Sequence, residues 1–381
     1  MRTVKWNAFL SGLCGFAVVL GVVAAGAHAD VTTEKGSSVL IFPKVRADGT
    51  FDTIIQIANT GNSPTEARCF YVDASLVNPI TQTPCTLPGQ LCTPLCQETD
   101  FSIFLTRQQP THWVVSAGRN INPSDKLGTD GAGFDPGFVP PVSNFTGELK
   151  CIEVDDTGAP INGNHLKGEA TLEVISGPDR GDVSKYNGIG IQANNEVSPA
   201  NPLLLDGNMY NACPAKLIVD HFATGAEDPV AAGDFAPTVF SSSESTELTL
   251  MPCSEDFEHQ LWPTVTVQFA VISELEQRLS FSTSLGCFLN TELANIGSLN
   301  GSTSTNPFTL GAIGTDIAQT EITPVANQDG SQNAVIGVAE QITTVAVGGA
   351  TSTSRAAYNL HSQGDLIPAK APDQIVLPGD P

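Results

Sequence analysis

Cysteine is the residue type in this sequence whose number and spacing indicate chemistry most directly. The chain contains nine cysteines, and one of them, Cys14, lies in an N-terminal segment with the features of a signal peptide. The remaining even number in an exported chain indicates disulfide bonds. The candidate disulfide residues are Cys69, Cys85, Cys92, Cys96, Cys151, Cys213, Cys253 and Cys287. Many pairings are open to eight cysteines, so the sequence does not fix their connectivity.

Zinc is the alternative role for these thiols. Cys85, Cys92 and Cys96 are spaced C-x6-C-x3-C, which differs from the C-x2-C pair of common zinc sites, and no H-x3-5-H segment follows. The spacing therefore favours disulfides over a metal. We expect Cys213 and Cys253 to be among the oxidised residues.

A hydrolase is the first enzyme class to test in an exported acidic protein. The sequence contains no G-x-S-x-G elbow, no HExxH helix, no P-loop and no dinucleotide fingerprint. A glycosidase needs only two nearby carboxylates, which 40 acidic residues supply without specificity. Structural or surface roles are expected for the histidines that follow the N-terminal segment, which are His112, His165, His221, His259 and His361. The sequence therefore predicts no enzyme and no catalytic residue.

Calcium is the cofactor that the acidic loops could hold, because hard cations prefer oxygen ligands. Asp125, Asp130 and Asp135 recur every five residues, and Glu255, Asp256 and Glu258 form a second acidic group. Neither stretch has the D-x-D-x-D-G loop with its closing glutamate. We therefore expect solvated loop acids and no cofactor, with Ca²⁺ kept as the alternative.

Exposed tryptophans would indicate a sugar-binding surface, because aromatic rings stack on sugar faces. Trp113 and Trp262 are the two tryptophans outside the N-terminal segment. Their valine-rich neighbours indicate that both are buried. A protein partner is therefore expected, and a glycan partner is kept as the alternative.

The charge of the chain limits its partners. There are 17 basic and 40 acidic residues, a formal net charge of −23. No basic patch is available to release counterions from phosphates, so the sequence predicts no nucleic-acid partner. Acidic charge spread along the chain keeps an exported protein in solution.

The first 29 residues are predicted to be a signal peptide. Arg2 and Lys5 form a basic start, residues 13–23 are apolar, and Ala27 and Ala29 form an A-x-A cleavage site. A membrane anchor is the alternative, but the apolar run is short for a bilayer span. No second apolar stretch is long enough to span, so we predict an exported protein, either periplasmic or extracellular at the cell surface.

The elements that carry these residues are predicted to be strands. The segment 264–271, "TVTVQFAV", alternates apolar and polar residues with a period of two, as a half-buried strand does. The segment 272–279 has a helical spacing, but two turns are too few for a stable helix. Many short strands with Gly and Pro between them are typical of an all-β protein.

The chain length and these strands predict two tandem immunoglobulin-like β-sandwich domains after the cleaved signal peptide. The first domain is placed at 36–192 with a cysteine-containing loop at 78–99, and the second at 212–378. A linker, 193–211, joins them. The first domain holds five of the eight cysteines, so either one bridge crosses the boundary or one thiol stays free.

An internal repeat is predicted from two similar segments. "VLIFP" at 39–43 and "LTLMP" at 248–252 are each followed by a Thr-containing alternating strand and then by a strand bearing Cys. "YNGIGIQ" at 186–192 and "AAYNLH" at 356–361 add a weaker match. The alternative is that any two β-domains look alike at this level. The turn between the first two strands is predicted at Ala47-Asp48-Gly49.

The segments "VLIFPKV", "DGTFDTIIQIANT", "ARCFYVDA" and "FSIFLTRQQPTHWVV" carry a resemblance to a known class. The chain resembles uncharacterised exported bacterial β-sandwich proteins, in which a strand ending near Phe-Pro leads into a D-T-x-I-x-I-x-N-T strand. The downstream segments "GELKCIEVDDTGAPINGNHLKGEATL" and "STELTLMPCSEDF" share it. The resemblance implies the fold and export, and it implies no activity.

The function expected from these observations is that of an exported, non-enzymatic structural or interaction protein of the cell surface or periplasm. Its partner is an unknown protein or glycan, and exposed sheet edges allow self-assembly. The alternative is a carbohydrate-binding or other ligand-binding β-sandwich module, and a hydrolase ranks third.

Overall fold

The computed structural model describes residues 31–85, 92–121, 134–194, 200–227, 240–296, 306–347, 349–368 and 370–379. The predicted signal peptide, Asp125 and Asp130 lie outside these residues. Almost all of the regular structure is strand, with one 3₁₀ turn, Leu293–Asn295, and one single-turn helix, α1 (Leu310–Ile313). The prediction of an all-β protein is confirmed.

The first half of the protein, residues 31–194, contains eleven of the described strands. They are β1 (Val39–Ala47), β2 (Phe51–Asn59), β3 (Thr65–Asp73), β4 (Leu76–Val77), β5 (Thr93–Pro94), β6 (Gln97–Leu105), β7 (Pro110–Val114), β8 (Phe145–Val154), β9 (Leu166–Val174), β10 (Val183–Asn187) and β11 (Ile189–Ile191).

The second half, residues 200–379, contains the other described strands. They are β12 (Leu203–Leu205), β13 (Pro214–Phe222), β14 (Phe240–Pro252), β15 (Glu255–Asp256), β16 (Val265–Ser273), β17 (Arg278–Leu285), β18 (Leu289–Glu292), β19 (Ile317–Pro324), β20 (Val335–Val347), β21 (Ala350–Asn359), β22 (His361–Asp365) and β23 (Asp373–Val376). The segment predicted as a linker, 193–211, therefore contains a strand.

Each half contains one five-stranded and one four-stranded sheet. In the first half the strand orders are β11-β1-β8-β3-β6 and β10-β9-β2-β7. In the second half they are β17-β16-β19-β13-β22 and β18-β14-β20-β21. Neighbouring strands in these four sheets are antiparallel.

The sheets do not divide clearly into two immunoglobulin-like sandwiches. A further sheet, β12-β23-β15, belongs to neither pair of larger sheets. The larger apolar core also crosses between the halves, because it takes Tyr71 and Leu149 from the first and Met251, Phe257 and Ile375 from the second. A smaller core lies entirely in the second half.

The first two strands are joined by the predicted turn but do not form a hairpin. Asp48 Oδ1 accepts hydrogen bonds from the backbone N–H groups of Thr50 and Phe51, and Gly49 has a φ of 87°. This left-handed conformation favours glycine. β1 pairs with β8 and β11, whereas β2 pairs with β7 and β9, so the turn carries the chain from one sheet to the other.

Alternation along the strands determines which side chains face the core. Ile55 and Ile57 of β2 are 0% and 1% exposed, while Gln56 between them is exposed. Val267 and Phe269 of β16 are likewise buried. The segment 272–279, which has helical spacing, instead forms the end of β16, a turn and the start of β17.

The strands of the two similar segments lie in different surroundings, and the repeat stays a prediction. β1 and β16 belong to five-stranded sheets, whereas β14 and β2 belong to four-stranded sheets. The third strand of the first copy, β3, joins the sheet of β1, whereas β17 joins the sheet of β16. The two segments of the weaker match, 186–192 and 356–361, contact each other. The side chain of Asn359 accepts a hydrogen bond from the backbone N–H of Asn187 and donates one to its backbone carbonyl.

Candidate functional site

The eight predicted disulfide residues form four bridges. Cys69 and Cys151 occupy opposed positions on β3 and β8. One bridge connects the two halves of the protein, and another closes the excursion between β4 and β5. The four pairs are Cys69–Cys151, Cys85–Cys92, Cys96–Cys287 and Cys213–Cys253. Because all eight sulfurs are bonded to each other, none of these cysteines is available to bind zinc.

The two halves meet at a buried junction that contains charged side chains. From the first half it includes Lys44, Phe70, Glu148 and Lys150, and from the second half Glu247, Glu255, Phe257 and Glu340. The rings of Phe70 and Phe257 stack with their centroids 4.2 Å apart. Ionisable groups with such low exposure are rare unless they are paired, so the junction is the chemically most unusual region of the protein.

Lys44 is held by two carboxylates of the second half. Its Nζ atom bonds Glu247 and lies 2.8 Å from Oε2 of Glu340. Ser184 donates to the other oxygen of Glu340 at 2.6 Å. Burial would raise the pKa of Glu340, but Lys44 and Ser184 stabilise its charge and hold the pKa below its usual value. This part of the junction is a complete ion-pair network.

Lys150 has a different environment. Its Nζ atom lies 2.5 Å from Oε2 of Glu255, and both side chains are fully buried. Glu148 lies on the same strand two residues away, and within the described part of the chain neither of its carboxyl oxygens has a hydrogen-bond donor. Burial and the neighbouring Glu255 raise the pKa of Glu148 well above its usual value.

The histidines are dispersed. His221 is buried, its Nε2 lies 2.8 Å from Oγ1 of Thr320, and burial lowers its pKa to about 4. His259 pairs with Asp256 in an exposed turn, and His112 and His361 are exposed. In the described part of the chain, these positions bring no two histidines into one site.

One group contains a serine, a histidine and a carboxylate, but not in the order that nucleophilic catalysis needs. Ser38 donates its hydroxyl proton to Glu153 at 2.9 Å, and Nδ1 of His165 lies 3.2 Å from the other oxygen of Glu153. A catalytic serine would instead be hydrogen-bonded to the histidine. Thr65 also donates to Glu153, so this carboxylate serves to bond neighbouring segments together.

The tryptophans give no exposed sugar platform. Trp113 is 2% exposed, and its indole N–H donates to the hydroxyl of Tyr71 at 2.6 Å. Trp262 is half-buried against the larger core. Trp113 therefore stabilises the interior of the first half.

Of the acidic residues considered for the calcium alternative, Asp135, Glu255, Asp256 and Glu258 lie within the described residues. Asp135 accepts hydrogen bonds from Arg119 and from the backbone N–H of Gly137. Glu255 is buried at the junction, while Glu258 is exposed. Within the described ranges, no group of three or more His, Cys, Asp or Glu side chains has an arrangement that could hold a metal ion.

A shallow groove of about 370 Å³ lies on the outer face of the sheet β10-β9-β2-β7. Gln56, His112, Glu169 and Asn187 line it, and its described lining contains no Phe, Tyr or Trp. Apolar side chains also line the groove, among them Ile57, Ala58 and Pro110.

The outer edge of β17 is an open backbone surface. β17 is the terminal strand of its sheet, and the hydrogen bond from Ser273 N to Gln277 O sets the alternation of its ladder with β16. By this alternation, Phe281 bonds inward to β16, whereas the N–H and C=O groups of Ser280, Ser282 and Ser284 face away from the sheet. No strand of the described chain pairs with this edge.

Sequence reasoning missed the junction. Lys44, Glu148 and Lys150 lie in strands at positions where a polar residue is normally solvent-exposed, and their burial depends on the other half of the protein. The available signal was the pattern "GELKC", in which Glu148 and Lys150 share one strand face while Leu149 and Cys151 share the other.

Comparisons with known proteins add no relative to this description. Within the described ranges, no helix has the length and apolar character that a membrane crossing requires. No protein-family model matches the chain, and no curated protein matches it significantly.

Proposed function

We propose that the protein is an exported, non-enzymatic structural or interaction protein of the periplasm or cell surface, and that it assembles through the edge of β17. The four disulfides support export, because such bonds form and persist in oxidising compartments. Residues 1–29 would be removed as the signal peptide.

We further propose that its architecture is two tandem immunoglobulin-like sandwiches, 36–192 and 212–378. Packing between sheets supports this arrangement: β1 contacts β2 and β9 of the facing sheet in the first half, and β13 contacts β14 and β20 in the second. The bridge Cys96–Cys287 and the buried junction would hold the two sandwiches as one rigid body.

The observation that carries the assembly proposal is the lack of protection at β17. Long edge strands are usually blunted by charge, proline, bulges or a covering loop. β6 carries Glu98 and Asp100 and bonds to Pro136, and β21 carries Arg355 and contacts β10. β17 has eight residues, of which Arg278 alone is charged, and no bulge interrupts its register with β16.

A second copy of the same chain is the partner that best fits this edge. An identical strand added antiparallel about Ser282 sets Ser282 opposite its copy and Ser280 opposite Ser284, so that hydroxyl groups can hydrogen-bond across the new pair. The contact would be two-fold symmetric and would join two five-stranded sheets into one. Recognition by a basic partner would need acidic residues on the edge, and β17 has none.

Sedimentation velocity over a range of protein concentrations tests the proposal. We expect a concentration-dependent dimer that strengthens with added salt, because the net charge of −23 opposes association at low ionic strength. Ser282→Pro removes an outward N–H that the second strand would accept, so the variant should be monomeric. Its fold should persist, because proline is tolerated in an edge strand. Ser282→Ala is the matched control and should still dimerise. A wild-type monomer at every concentration, or an unchanged dimer in Ser282→Pro, would overturn the proposal.

A further inference from the structure

The junction contains two buried lysines whose surroundings differ in one respect. Around Lys44, the carboxylate of Glu340 accepts hydrogen bonds from Lys44 and Ser184, and Arg355 lies 3.5 Å away. Around Lys150, two carboxyl groups have oxygens for which the described residues supply no hydrogen-bond donor. These oxygens are Oε1 and Oε2 of Glu148 and Oε1 of Glu255.

The site of Lys150 is tightly enclosed. The side chains of Lys150 and Glu255 have no exposed surface, and Glu148 is 1% exposed. The Nζ atom of Lys150 lies 5.7 Å from the centre of the Phe257 ring. Burial removes much of the solvation that favours the charged forms of an amine and an acid over their neutral forms.

The charges at this site favour a proton on Glu148. Burial raises the pKa of Glu148 well above its usual value, and burial with repulsion from Asp100 raises the pKa of Glu98 to about 7. Asp373 also faces Lys150, and burial raises its pKa to about 6. Protonated, Glu148 can donate a hydrogen bond to the carboxyl group of Glu255.

We propose that Lys150 and Glu255 condense to an amide bond, so that a covalent side-chain cross-link joins β8 of the first half to β15 of the second. Within the pair, a proton passes from the ammonium of Lys150 to Glu255, and the freed nitrogen lone pair attacks Cδ of Glu255 while the acid proton of Glu148 polarises the carbonyl oxygen. The C–N bond forms, one C–O bond breaks, and one water molecule leaves. Glu148 carries the protons between the nitrogen and the departing oxygen, and no oxidant or cofactor is needed.

The pair around Lys44 provides the contrast that the chemistry requires. Glu340 and Glu247 are stabilised as carboxylates by Lys44 and by further donors. Neither of them holds an acid proton like the one that Glu148 supplies beside Lys150, so condensation there has no proton donor. Lys44 therefore remains an ion-pair partner, although it is as deeply buried as Lys150.

Mass spectrometry of a tryptic digest tests the cross-link. The wild-type protein is allowed to fold and is then denatured, reduced, alkylated and digested. Trypsin cannot cleave after an acylated lysine, so we expect the peptide 127–167 joined to the peptide 217–278, with a mass about 18 Da below their sum, the mass of the water lost in amide formation. Cleavage after Lys44 serves as the internal control. Separate peptides ending and beginning at the Lys150–Cys151 bond would overturn the proposal.

Two variants separate the cross-link from the fold. Glu148→Gln keeps the shape of the side chain but cannot carry the proton, so its digest should contain free Lys150 and the unlinked peptide 217–278. Lys150→Arg keeps the positive charge and should also give the unlinked peptide. A complete cross-link in Glu148→Gln would overturn the role of Glu148. The wild-type digest decides on the bond itself even if a variant fails to fold.

Discussion

The Nζ atom of Lys44 lies 2.8 Å from Oε2 of Glu340, and this contact joins β1 of the first half to β20 of the second. The side chains of Lys44 and Glu340 are 1% and 0% exposed. Replacing one partner of such a pair is costly, because the other charge is left buried without compensation. The pair therefore makes the association of the two halves sensitive to a single side chain.

Lys44→Met tests this dependence. We expect the free energy of unfolding to fall by about 3–5 kcal/mol, because Glu340 and Glu247 lose their common counter-ion in a buried site. Urea denaturation followed by circular dichroism gives the measurement. Lys185→Met is the control, since Lys185 is 48% exposed in its pair with Glu169, and a loss below about 1 kcal/mol is expected there. Equal losses in the two variants would contradict the assignment.

The sequence was sufficient for the strands and their faces, because alternation with a period of two is a local property. It located the turn at Asp48 correctly, and the alternation of 264–271 agrees with the burial of Val267 and Phe269. It could not give the partners of β1 and β2, which lie in different sheets. Pairing depends on contacts between residues distant in sequence, and alternation contains no information about them.

The junction could not be predicted for a related reason. Glu148 and Lys150 alternate with Leu149 and Cys151, a pattern that normally indicates a solvent-facing side of a strand. In the folded protein that side is covered by Glu255 and Phe257 of the second half. The odd number of cysteines in each predicted domain did carry tertiary information, because it requires either a free thiol or a bridge such as Cys96–Cys287.

Removal of the bridge between the halves tests its contribution. The sequence separation of Cys96 and Cys287 is 191, compared with 7 for Cys85 and Cys92. A longer closed loop restricts the unfolded chain more, so the double variant Cys96→Ser/Cys287→Ser should lose about 2–4 kcal/mol. The matched control Cys85→Ser/Cys92→Ser should lose less. Urea denaturation without reductant measures both, and the reverse order would contradict this account.

Gly337 of β20 lies opposite Leu250 of β14. A Cβ atom at this position would overlap the backbone carbonyl of Thr249 and the side chain of Leu250. Gly337→Ala should therefore destabilise the protein by about 1–3 kcal/mol through overpacking. Gly286→Ala is the control, because a Cβ there meets no atom within 4 Å, and a change within about 0.5 kcal/mol is expected. Similar midpoints of thermal unfolding for the two variants would argue against this packing.

Asp373 should make stability decrease as the pH rises. Burial raises its pKa from 3.8 to about 6, although Ser254 and the N–H of Ala334 donate to it. The folded state therefore holds a proton that the unfolded state has released, so the stabilisation is complete below pH 3.8 and is lost as the pH rises through about 6. Asp373→Asn cannot titrate. Its stability relative to wild type should rise by about 3 kcal/mol across this window, and a constant difference would exclude the effect.

Glu247 should have the opposite pH dependence. Burial would raise its pKa, but Lys44 outweighs burial and lowers the pKa from 4.5 to about 2. The folded state thus releases a proton that the unfolded state keeps, so this stabilisation is complete above pH 4.5 and is lost as the pH falls through about 2. Glu247→Gln should be less stable than wild type at pH 6 by about 3 kcal/mol, and the difference should vanish near pH 2. Because Lys44 causes the shift, Lys44→Met should abolish this pH dependence, and its persistence in that variant would assign the shift to another group.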